Sequence, residues 1–478
     1  MEELIVKNPY SGDVVGKVPY ATPSDIRDTL GRATRAFQSW RHSRAPDRAE
    51  LLDHAAQILE SQREEFVDLI QREAGKPVSY ARVEFDRALA VLRWASAETQ
   101  RFAGELLRLD ISSNGRPGFG IHQRFARGVV LGITPFNFPL NLVCHKVAPA
   151  LASGCPIIIK PSPATPLTAL KFAGVFASLD HDLFQVLIAD DQATADLTRA
   201  PEIAQISFTG SSHVGWTIRK QAPEKPTLLE LGGNAWAIVL ESTKREHFSA
   251  IAKRLCGAGF GYAGQSCISV QNVAVAQPIY DDFAQAMIKA TEVTRFGNPV
   301  LDIVTCGPMI HSHAAEKVRE MIAKAPPGSQ VIASSAMEKG GEPAPDPKTG
   351  TLVPPMLVVM PVPYDQMDLP PLVQDECFGP IINISSFESL PALVGKINSS
   401  RYGLQAGVYT QNLATIESLY RDLDVGGLVV NDVPTTRYDH QPYGGNKDSG
   451  QGREGVRYAM EEFTVSKFLA LSSHIPGI

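Results

Sequence analysis

Short runs of β-branched residues alternate with helix-compatible segments through the middle of the chain, and this alternation restricts the fold more than any other feature. The runs are GVVLGITP, CPIIIKPS, FQVLIAD and QISFTGS, and a segment that suits a helix follows each of them. Strands that read as continuous apolar runs are typical of parallel sheets covered by helices on both faces. The pattern therefore predicts an α/β fold built on a parallel sheet.

A second alternating series, from SVQNVAVA to GGLVVND, predicts a second α/β unit. Two or more units are expected in any case, because 478 residues exceed the size at which a single hydrophobic core stops growing. We place the boundary near Gly232–Gly233. The first unit then comprises residues 1–104 and 127–232, and the second comprises residues 233–440.

The stretch LLRLDISSNGRPGFGIHQRFARG interrupts the first unit. Its Asn114–Gly115 pair, set between two possible strands, predicts a projecting hairpin. FTVSKFLALSS near the C-terminus reads as one more strand. We expect residues 105–126 and 462–478 to pair into a small β arm used in assembly.

Charge and composition exclude several classes of protein. The net charge of -6 is spread along the chain without a basic block, so neither nucleic acid nor an anionic membrane is an expected partner. The most apolar region, Val129–Val143, contains polar residues and is too short for a membrane span. The first residues, MEELIVKNPYSGD, lack a basic start before an apolar core, which predicts a cytoplasmic protein.

The six cysteines show no CxxC spacing and no accompanying histidine cluster, so we expect neither a disulfide framework nor a metal site. One of them, Cys267, lies in GYAGQSCISVQ among small residues that leave room for a substrate. A catalytic cysteine needs an accessible sulfur, an oxyanion donor and a way to form thiolate. Taken alone, the loop fits a partly buried structural cysteine equally well.

Three other stretches carry candidate functional groups. Asn137 in ITPFNFPLN is held between prolines, where an amide can donate to an oxyanion or merely serve the turn. Glu230 in LLELGGN ends an apolar strand, which suits a general base and also a salt-bridged carboxylate. FTGSSHVG brings glycines to a strand-to-helix turn, which is either an ordinary turn or a pyrophosphate site.

Seven stretches together resemble the aldehyde dehydrogenase superfamily over essentially the whole chain. In family order they are GITPFNFPLN, KVAPALASGCPIIIKPSPATP, ISFTGSSHVG, LELGGN, GYAGQSCIS, DECFGP and PYGGNKDSGQGREG. The resemblance implies a Rossmann-like cofactor-binding domain, an α/β catalytic domain and a small β oligomerisation arm. The resemblance also favours the interpretation that the loop exposes the Cys267 sulfur to a substrate, over that of a structural cysteine.

The resemblance implies a role for each candidate catalytic residue. Cys267 is similar to the nucleophile that attacks an aldehyde to form a thiohemiacetal. Asn137 and the backbone N–H of Cys267 match the oxyanion donors. Hydride loss to a nicotinamide leaves a thioester, and Glu230 resembles the base that activates water to hydrolyse it.

The implied cofactor is NAD or NADP. Residues matching the family's cofactor contacts are Thr134, Pro135, Lys146, Lys160, Ser162, Thr209, Gly210, Ser211, Gly215, Leu231, Glu376 and Phe378. Pro163 stands where many NAD-preferring relatives have a glutamate that binds the ribose hydroxyls. Losing that carboxylate removes a group that would repel a 2′-phosphate, so we expect NADP to be tolerated.

The stretch VPTTRYDHQPYGG resembles the subgroup that acts on small polar aldehydes such as lactaldehyde, phosphonoacetaldehyde and succinate semialdehyde. Arg437, His440 and Arg101 are candidates for an anionic tail, and a solvated or interface charge explains each of them as well. The expected partner is a small aldehyde, and the expected assembly is a homodimer or homotetramer. Two rivals are a CoA-acylating relative, which generally lacks a glutamate like Glu230, and a cofactor-binding structural protein without turnover.

Overall fold

The computed structural model describes residues 3–115, 117–179, 182–340, 346 and 349–472. Helices α1 to α15 span, in chain order, Pro23–Trp40, Ala45–Ser61, Arg63–Ala74, Val78–Thr99, Asn141–Ala152, Pro166–Phe176, Asp191–Arg199, Ser212–Gln221, Phe248–Phe260, Tyr280–Glu292, Ser312–Ala323, Pro371–Gln374, Leu390–Asn398, Leu413–Asp422 and Val456–Glu462. Among the described residues, no helix combines the length and the apolarity needed to cross a membrane.

Strands β1 to β22 span, in chain order, Glu3–Lys7, Val14–Pro19, Glu105–Arg108, Gly118–Ala126, Val129–Ile133, Ile157–Lys160, Phe184–Val186, Ile203–Thr209, Thr227–Glu230, Ala235–Val239, Val270–Ala276, Phe296–Gly297, Gln330–Ala333, Met337–Glu338, Met356–Val359, Ile381–Phe387, Tyr402–Gly403, Gln405–Tyr409, Gly427–Val430, Asn446–Lys447, Gly450–Gln451 and Thr464–Ser472. Short pairs β1–β2, β12–β14 and β17–β20 lie outside the main sheets. The α/β class predicted from the sequence is confirmed.

The first main sheet has the strand order β21-β9-β8-β5-β6-β7 and is parallel except for β21. Both of its faces are covered: Val130, Ile157 and Ile159 enter one apolar cluster, while Val129 and Leu131 enter another. The chain order reverses between β5 and β8. Clefts at such a reversal, beyond the carboxyl ends of the strands, are where open α/β sheets bind ligands.

The second main sheet has the order β13-β15-β16-β11-β10-β18-β19, with only β13 antiparallel. Its apolar cluster is separate from the clusters of the first sheet. The chain passes from one sheet to the other between Glu230 and Ala235.

The sequence reading missed that the chain returns to the first unit near its end. Strand β21 pairs with β9, and Val456, Met460 and Phe463 join an apolar cluster of the first sheet. Residues 441–461, which had been left unassigned, therefore include a part of the first unit.

The hairpin and the C-terminal strand pair as expected, in the antiparallel order β22-β4-β3. The register runs from Thr464 opposite Ala126 to Ser472 opposite Gly118. The remainder of the predicted arm, residues 473–478, lies outside the described residues.

Candidate active site

A cavity of about 820 Å³ lies where the two units meet. Residues that follow β5, β8 and β9 line it on one side, and residues that precede β11 line it on the other. The three predicted catalytic residues, Cys267, Asn137 and Glu230, all line this one cavity. The cavity thus lies at the point where the strand order of the first sheet reverses, and the second unit supplies the Cys267 sulfur.

Cys267 follows a left-handed turn that ends helix α9. Tyr262, Ala263 and Gly264 have φ angles of 51°, 55° and 67°, and a side chain at Gly264 would approach the Gly379 carbonyl oxygen to 2.1 Å. Left-handed backbone at non-glycine residues is costly and concentrates at functional sites. The turn persists because the buried Gln265 side chain donates to the Tyr262 and Pro308 carbonyls and accepts from the Ile310 N–H.

The Cys267 thiol is half-buried and contacts a tyrosine. Its Sγ lies 3.3 Å from the Tyr443 hydroxyl. Burial raises the pKa of the Cys267 thiol to about 11, while the Tyr443 hydrogen bond and the charge of Arg437 act in the opposite direction. The sulfur is therefore held mostly as a thiol at neutral pH in the free protein.

The Asn137 side chain is aimed at the cysteine turn. Its Nδ2 donates to the Gln265 carbonyl at 2.9 Å, two residues before Cys267. A side-chain amide carries two N–H groups, so one donor remains for a ligand. Within the described part of the chain, the Cys267 backbone N–H has no hydrogen-bond partner. Two donors of the kind that an oxyanion needs are thus present in the cysteine turn and in the loop bonded to it.

Glu230 belongs to a buried cluster with Glu454, Lys146 and Arg437. Lys146 Nζ lies 3.0 Å from one oxygen of Glu454, and Arg437 Nη2 lies 3.2 Å from the other. Burial acts to raise the pKa of Glu454, but Lys146 and Arg437 outweigh it and hold that pKa at about 2. Burial and the neighbouring Glu454 charge raise the pKa of Glu230 well above its usual value. The environment thus divides two carboxylates into a permanent anion and a basic group.

The turn after β8 leads directly into the N-terminus of helix α8. Ser211 caps helix α8, where its Oγ accepts from the Val214 N–H at 3.4 Å. A side chain at Gly215 would come within 2.3 Å of Leu231, so the glycine lets the helix lie close to the sheet. The N-terminus of a helix offers free N–H groups and a partial positive charge to phosphate.

Two unpartnered hydroxyls lie near the adjacent part of the cavity, with Thr209 in its lining and Thr134 outside it. Thr134 Oγ1 and Thr209 Oγ1 are buried and have no hydrogen-bond partner among the described residues. Glu376 accepts from the Gly233 N–H at 2.9 Å, and burial raises the pKa of its carboxyl to about 7. Phe378, at φ 49°, packs edge-on against Phe136 with ring centroids 6.0 Å apart. Polar groups left unpaired beside an aromatic wall fit a ribose and a nicotinamide ring.

The predicted cofactor residues divide by position. Those that line the cavity are Pro135, Thr209, Gly210, Ser211, Leu231, Glu376 and Phe378. Thr134, Lys160, Ser162 and Gly215 lie outside its lining, in or next to the same strands. Lys146 is also outside, because its ammonium is bound to Glu454 and to Ser207 Oγ at 2.9 Å.

Lys160 ends strand β6, and its Nζ makes no ion pair or hydrogen bond to any residue that the structure describes. Burial lowers the pKa of Lys160, with Asp191 and Asp190 acting against the shift. Ser162 begins the following turn, where its Oγ accepts from the Ala164 N–H at 3.2 Å. An uncommitted lysine beside Pro163 fits the adenosine end of either NAD or NADP.

The three predicted substrate-binding residues lie in different parts of the structure. Arg437 lines the cavity, whereas Arg101 lies on the surface beyond the end of α4 and His440 stacks on the outside against Trp94. Arg87, earlier on the same helix, lines the cavity instead and binds Asp439 through two nitrogens. The structure therefore removes Arg101 and His440 from the cavity and adds Arg87.

Sequence reasoning missed several other residues of the site. Tyr443 and Glu454 both occur in PYGGNKDSGQGREG, so the titratable members of that motif were an available signal. Lys76 and Glu84 are buried behind Asn137 and gave no signal, because their partners are distant in the chain.

Comparison with known proteins agrees with this geometry. The model of the aldehyde dehydrogenase family matches residues 1–469. The chain is 34% identical to the 3-sulfolactaldehyde dehydrogenase of Priestia aryabhattai, covering 98% of this chain and 95% of that protein.

Two solved structures have the same fold over almost their whole length. Aldehyde dehydrogenase 21 from Physcomitrella patens, in complex with its reaction product succinate, superposes with a TM-score of 0.91 at 32% identity and covers 100% of this chain and 96% of its own. The glyceraldehyde-3-phosphate dehydrogenase GapN from Methanocaldococcus jannaschii, complexed with NADP, gives 0.88 at 30% identity, with 99% and 100% covered.

The fold and the cavity define a nicotinamide-dependent oxidoreductase that carries a cysteine at its centre. The chain belongs to the aldehyde dehydrogenase family. It is an NAD(P)-dependent aldehyde dehydrogenase.

Proposed function

We propose that this enzyme oxidises a small aldehyde bearing an anionic group to the corresponding carboxylic acid, without transfer to CoA. The observation that carries the proposal is the position of Arg437. Its guanidinium lies 3.7 Å above the Tyr443 ring, and the hydroxyl of the same tyrosine contacts the Cys267 sulfur. Arg437 Nε is buried and has no hydrogen-bond partner among the described residues. A short substrate with its aldehyde at Cys267 therefore meets a cation at its other end.

The relatives support an anionic tail. Two relatives are named for a sulfonated aldehyde and for a phosphorylated aldehyde. A third was solved in complex with its product, the dicarboxylate succinate. These three groups share a delocalised negative charge on equivalent oxygens. A guanidinium binds that arrangement through parallel hydrogen bonds.

Cys267 is the proposed nucleophile. Its thiol releases a proton to solvent, and the resulting thiolate bonds to the carbonyl carbon, whose C=O π pair moves onto oxygen to form the oxyanion. Asn137 Nδ2 and the Cys267 N–H then donate to that oxygen. Fixed donors in a water-poor site stabilise the charge without reorganisation.

When bound, the nicotinamide supplies hydride acceptance, which side chains do not provide. Gly210, Ser211 and the start of α8 are proposed to hold the diphosphate, with Glu376 at the ribose and Phe378 at the ring. Lys160 and Ser162 are proposed to hold the adenosine ribose, and with Pro163 in place of a carboxylate we propose that NADP is accepted.

Glu230 is the proposed base for release of the acid. Water attacks the thioester carbon on Cys267, its proton passes to a Glu230 oxygen, and the sulfur departs as thiolate. Glu230 Oε1 is buried and has no partner in the described structure, so it is available to such a water. Burial raises the pKa of Glu230 above its usual value, which makes its carboxylate a stronger base for this step.

Residues 1–104 and 127–232, with the returning C-terminal segment, are the proposed cofactor-binding domain, and residues 233–440 are the proposed catalytic domain. We also propose a homodimer or homotetramer built on the β arm. Its exposed apolar side chains are Leu106, Leu107, Phe119, Phe125, Phe468, Leu469 and Leu471. Light scattering measures the mass of the protein in solution, and the mass of a monomer would contradict the proposed assembly.

We also propose that the protein works in a reducing compartment such as the cytoplasm, which suits its six free cysteines.

Absorbance of the reduced cofactor at 340 nm tests the proposed reaction. Succinate semialdehyde and 3-sulfolactaldehyde are compared with uncharged aldehydes of the same length, using NAD⁺ and NADP⁺ separately, with and without CoA. The proposal expects turnover without CoA and a higher kcat/KM for the anionic aldehydes. Turnover that requires CoA, or a preference for the uncharged aldehydes, would contradict it.

A further inference from the structure

A lysine and a glutamate are buried directly behind the Asn137 loop. Lys76 and Glu84 are almost completely inaccessible to solvent and form an ion pair. Isolated buried charges are costly, and apolar residues of similar size are often as stabilising as a buried pair. A pair in this position therefore calls for an explanation other than stability.

The lysine contacts both sides of the oxyanion site. Its Nζ donates to the Asn137 carbonyl at 2.5 Å and lies 3.9 Å from the centre of the Phe138 ring. It also lies 4.6 Å from the centre of the Tyr262 ring, in the left-handed turn that precedes Cys267. Lys76 thus joins the loop carrying the side-chain donor to the turn carrying the backbone donor.

The glutamate fixes the other end of the same loop. Glu84 Oε1 accepts from the Leu140 N–H at 2.9 Å and from the Asn141 N–H at 3.1 Å, where α5 begins. The loop from Asn137 to Asn141 is therefore held at its start by a cation and at its end by that cation's partner. The pair thus holds the backbone of the loop, and the Asn137 amide is held by its own bond to the Gln265 carbonyl.

We propose that the Lys76–Glu84 pair is a positioning device that holds the Asn137 loop so that the Asn137 amide lies where the oxyanion forms. This inference rests on the proposed role of Asn137 as an oxyanion donor. Neither residue of the pair takes part in bond making; each acts through the loop that it holds. A displacement of about 1 Å in such a donor costs up to roughly 100-fold in rate.

The test is a double-mutant cycle between Lys76→Met and Asn137→Ala, with kcat/KM for the best aldehyde as the readout. When Asn137 is present, Lys76→Met is expected to lower kcat/KM about 30-fold, because the amide donor is displaced. In the Asn137→Ala enzyme the same substitution is expected to lower kcat/KM less than about 3-fold, because the donor that it would displace is already missing. The rate of Cys267 alkylation by iodoacetamide is expected to stay within about 2-fold, because the thiol itself is not moved.

A matched control is available on the neighbouring helix. Glu73 is equally buried and accepts from the Leu167 and Thr168 N–H groups at the start of α6, as Glu84 does for α5. Glu73→Gln does not touch the Asn137 loop. Its effect on kcat/KM is expected to be the same whether or not Asn137 is present.

Three outcomes are distinct. A loss confined to enzymes that retain Asn137 supports the inference, and an equal loss in both backgrounds overturns it and reduces the pair to a structural role. If Asn137→Ala alone leaves kcat/KM unchanged, the proposed role of Asn137 fails, and the inference fails with it. Should Lys76→Met not fold, Glu84→Gln enters the same cycle, because it removes the charge and keeps the size.

Discussion

The two ends of the active site are organised differently. Around Cys267 the charges are already paired: Lys146 and Arg437 bind Glu454, and Lys76 binds Glu84. At the opposite end, Lys160 has no partner within the described structure, and the buried Thr134 and Thr209 hydroxyls are unsatisfied. The cations of the chemical end are therefore fixed by carboxylates before any ligand arrives, whereas the lysine at the cofactor end is left for the cofactor to pair.

The largest effect is expected from replacing the sulfur at the chemical end. Cys267→Ser should lower kcat by roughly 10⁴-fold or more, since a hydroxyl without an adjacent activating base is a poor nucleophile. Steady-state rates at saturating aldehyde measure the loss. Binding of NADP⁺, followed by protein fluorescence, serves as the control and should not change. Activity within tenfold of the parent enzyme would show that another group attacks the aldehyde.

A smaller effect is expected at Arg437. Arg437→Met should reduce the ratio of kcat/KM for anionic over uncharged aldehydes by about 100-fold, because a buried cation that binds the tail is removed. Using the ratio cancels damage to the Glu454 contact, which both substrates share. Arg87→Met is the matched control, and its effect should be smaller, since Asp439 occupies both Nε and Nη2 of Arg87, whereas Glu454 leaves Arg437 Nε unpartnered among the described residues. If Arg87→Met reduced the ratio more than Arg437→Met does, Arg87 would be the residue that binds the anionic group of the substrate.

The cofactor end is expected to respond more weakly. Pro163→Glu should raise KM for NADP⁺ about tenfold and leave KM for NAD⁺ unchanged or lower, since a carboxylate near Lys160 repels a 2′-phosphate. Pro163→Gln has the same size without the charge and should have little effect on either value. Equal changes with both cofactors would mean that residue 163 does not face the 2′ position.

A separate effect, measured on the free enzyme, is the pH dependence of thiol alkylation. A Cys267 pKa near 11 means that the thiolate fraction is low at neutral pH and grows with every unit of pH below that value. Alkylation by iodoacetamide should therefore rise about tenfold per unit from pH 7 to about pH 10 without levelling off. Tyr443→Phe removes a hydrogen bond that lowers this pKa, so it should slow alkylation. A plateau below pH 9 would show that the charges near Cys267 already stabilise the thiolate.

The sequence predicted the elements of the fold well where local signals are strong. The β-branched runs before Asn137, Lys160, Ser211 and Glu230 all became strands of one sheet. Parallel strands place their carboxyl ends along one edge, so Asn137 and Glu230 had to come near each other once those strands were recognised. The return of the chain at β21 was missed, because a two-residue strand has no periodicity to read.

Contacts between residues that are distant in the chain could not be predicted from the sequence. Arg87 and Arg101 are alike in type, but Arg101 lies beyond the end of α4, and nothing in the α4 sequence marks which of its turns faces the cavity. Lys146 was expected at the cofactor, whereas the structure binds it to Glu454, more than three hundred residues later. Such pairings depend on how the units pack together, which periodicity does not encode.

The most direct measurement is the mass of the Glu230→Gln enzyme after a single turnover. Without the base, hydrolysis of the thioester should be slow, while the chemical steps at Cys267 remain intact. Mixing this variant with NADP⁺ and the preferred aldehyde should give a burst of about one reduced cofactor per active site. Intact-mass and peptide analysis should find the acyl group on Cys267. Continued rapid turnover, or an acyl group on any other residue, would contradict the division of roles between Cys267 and Glu230.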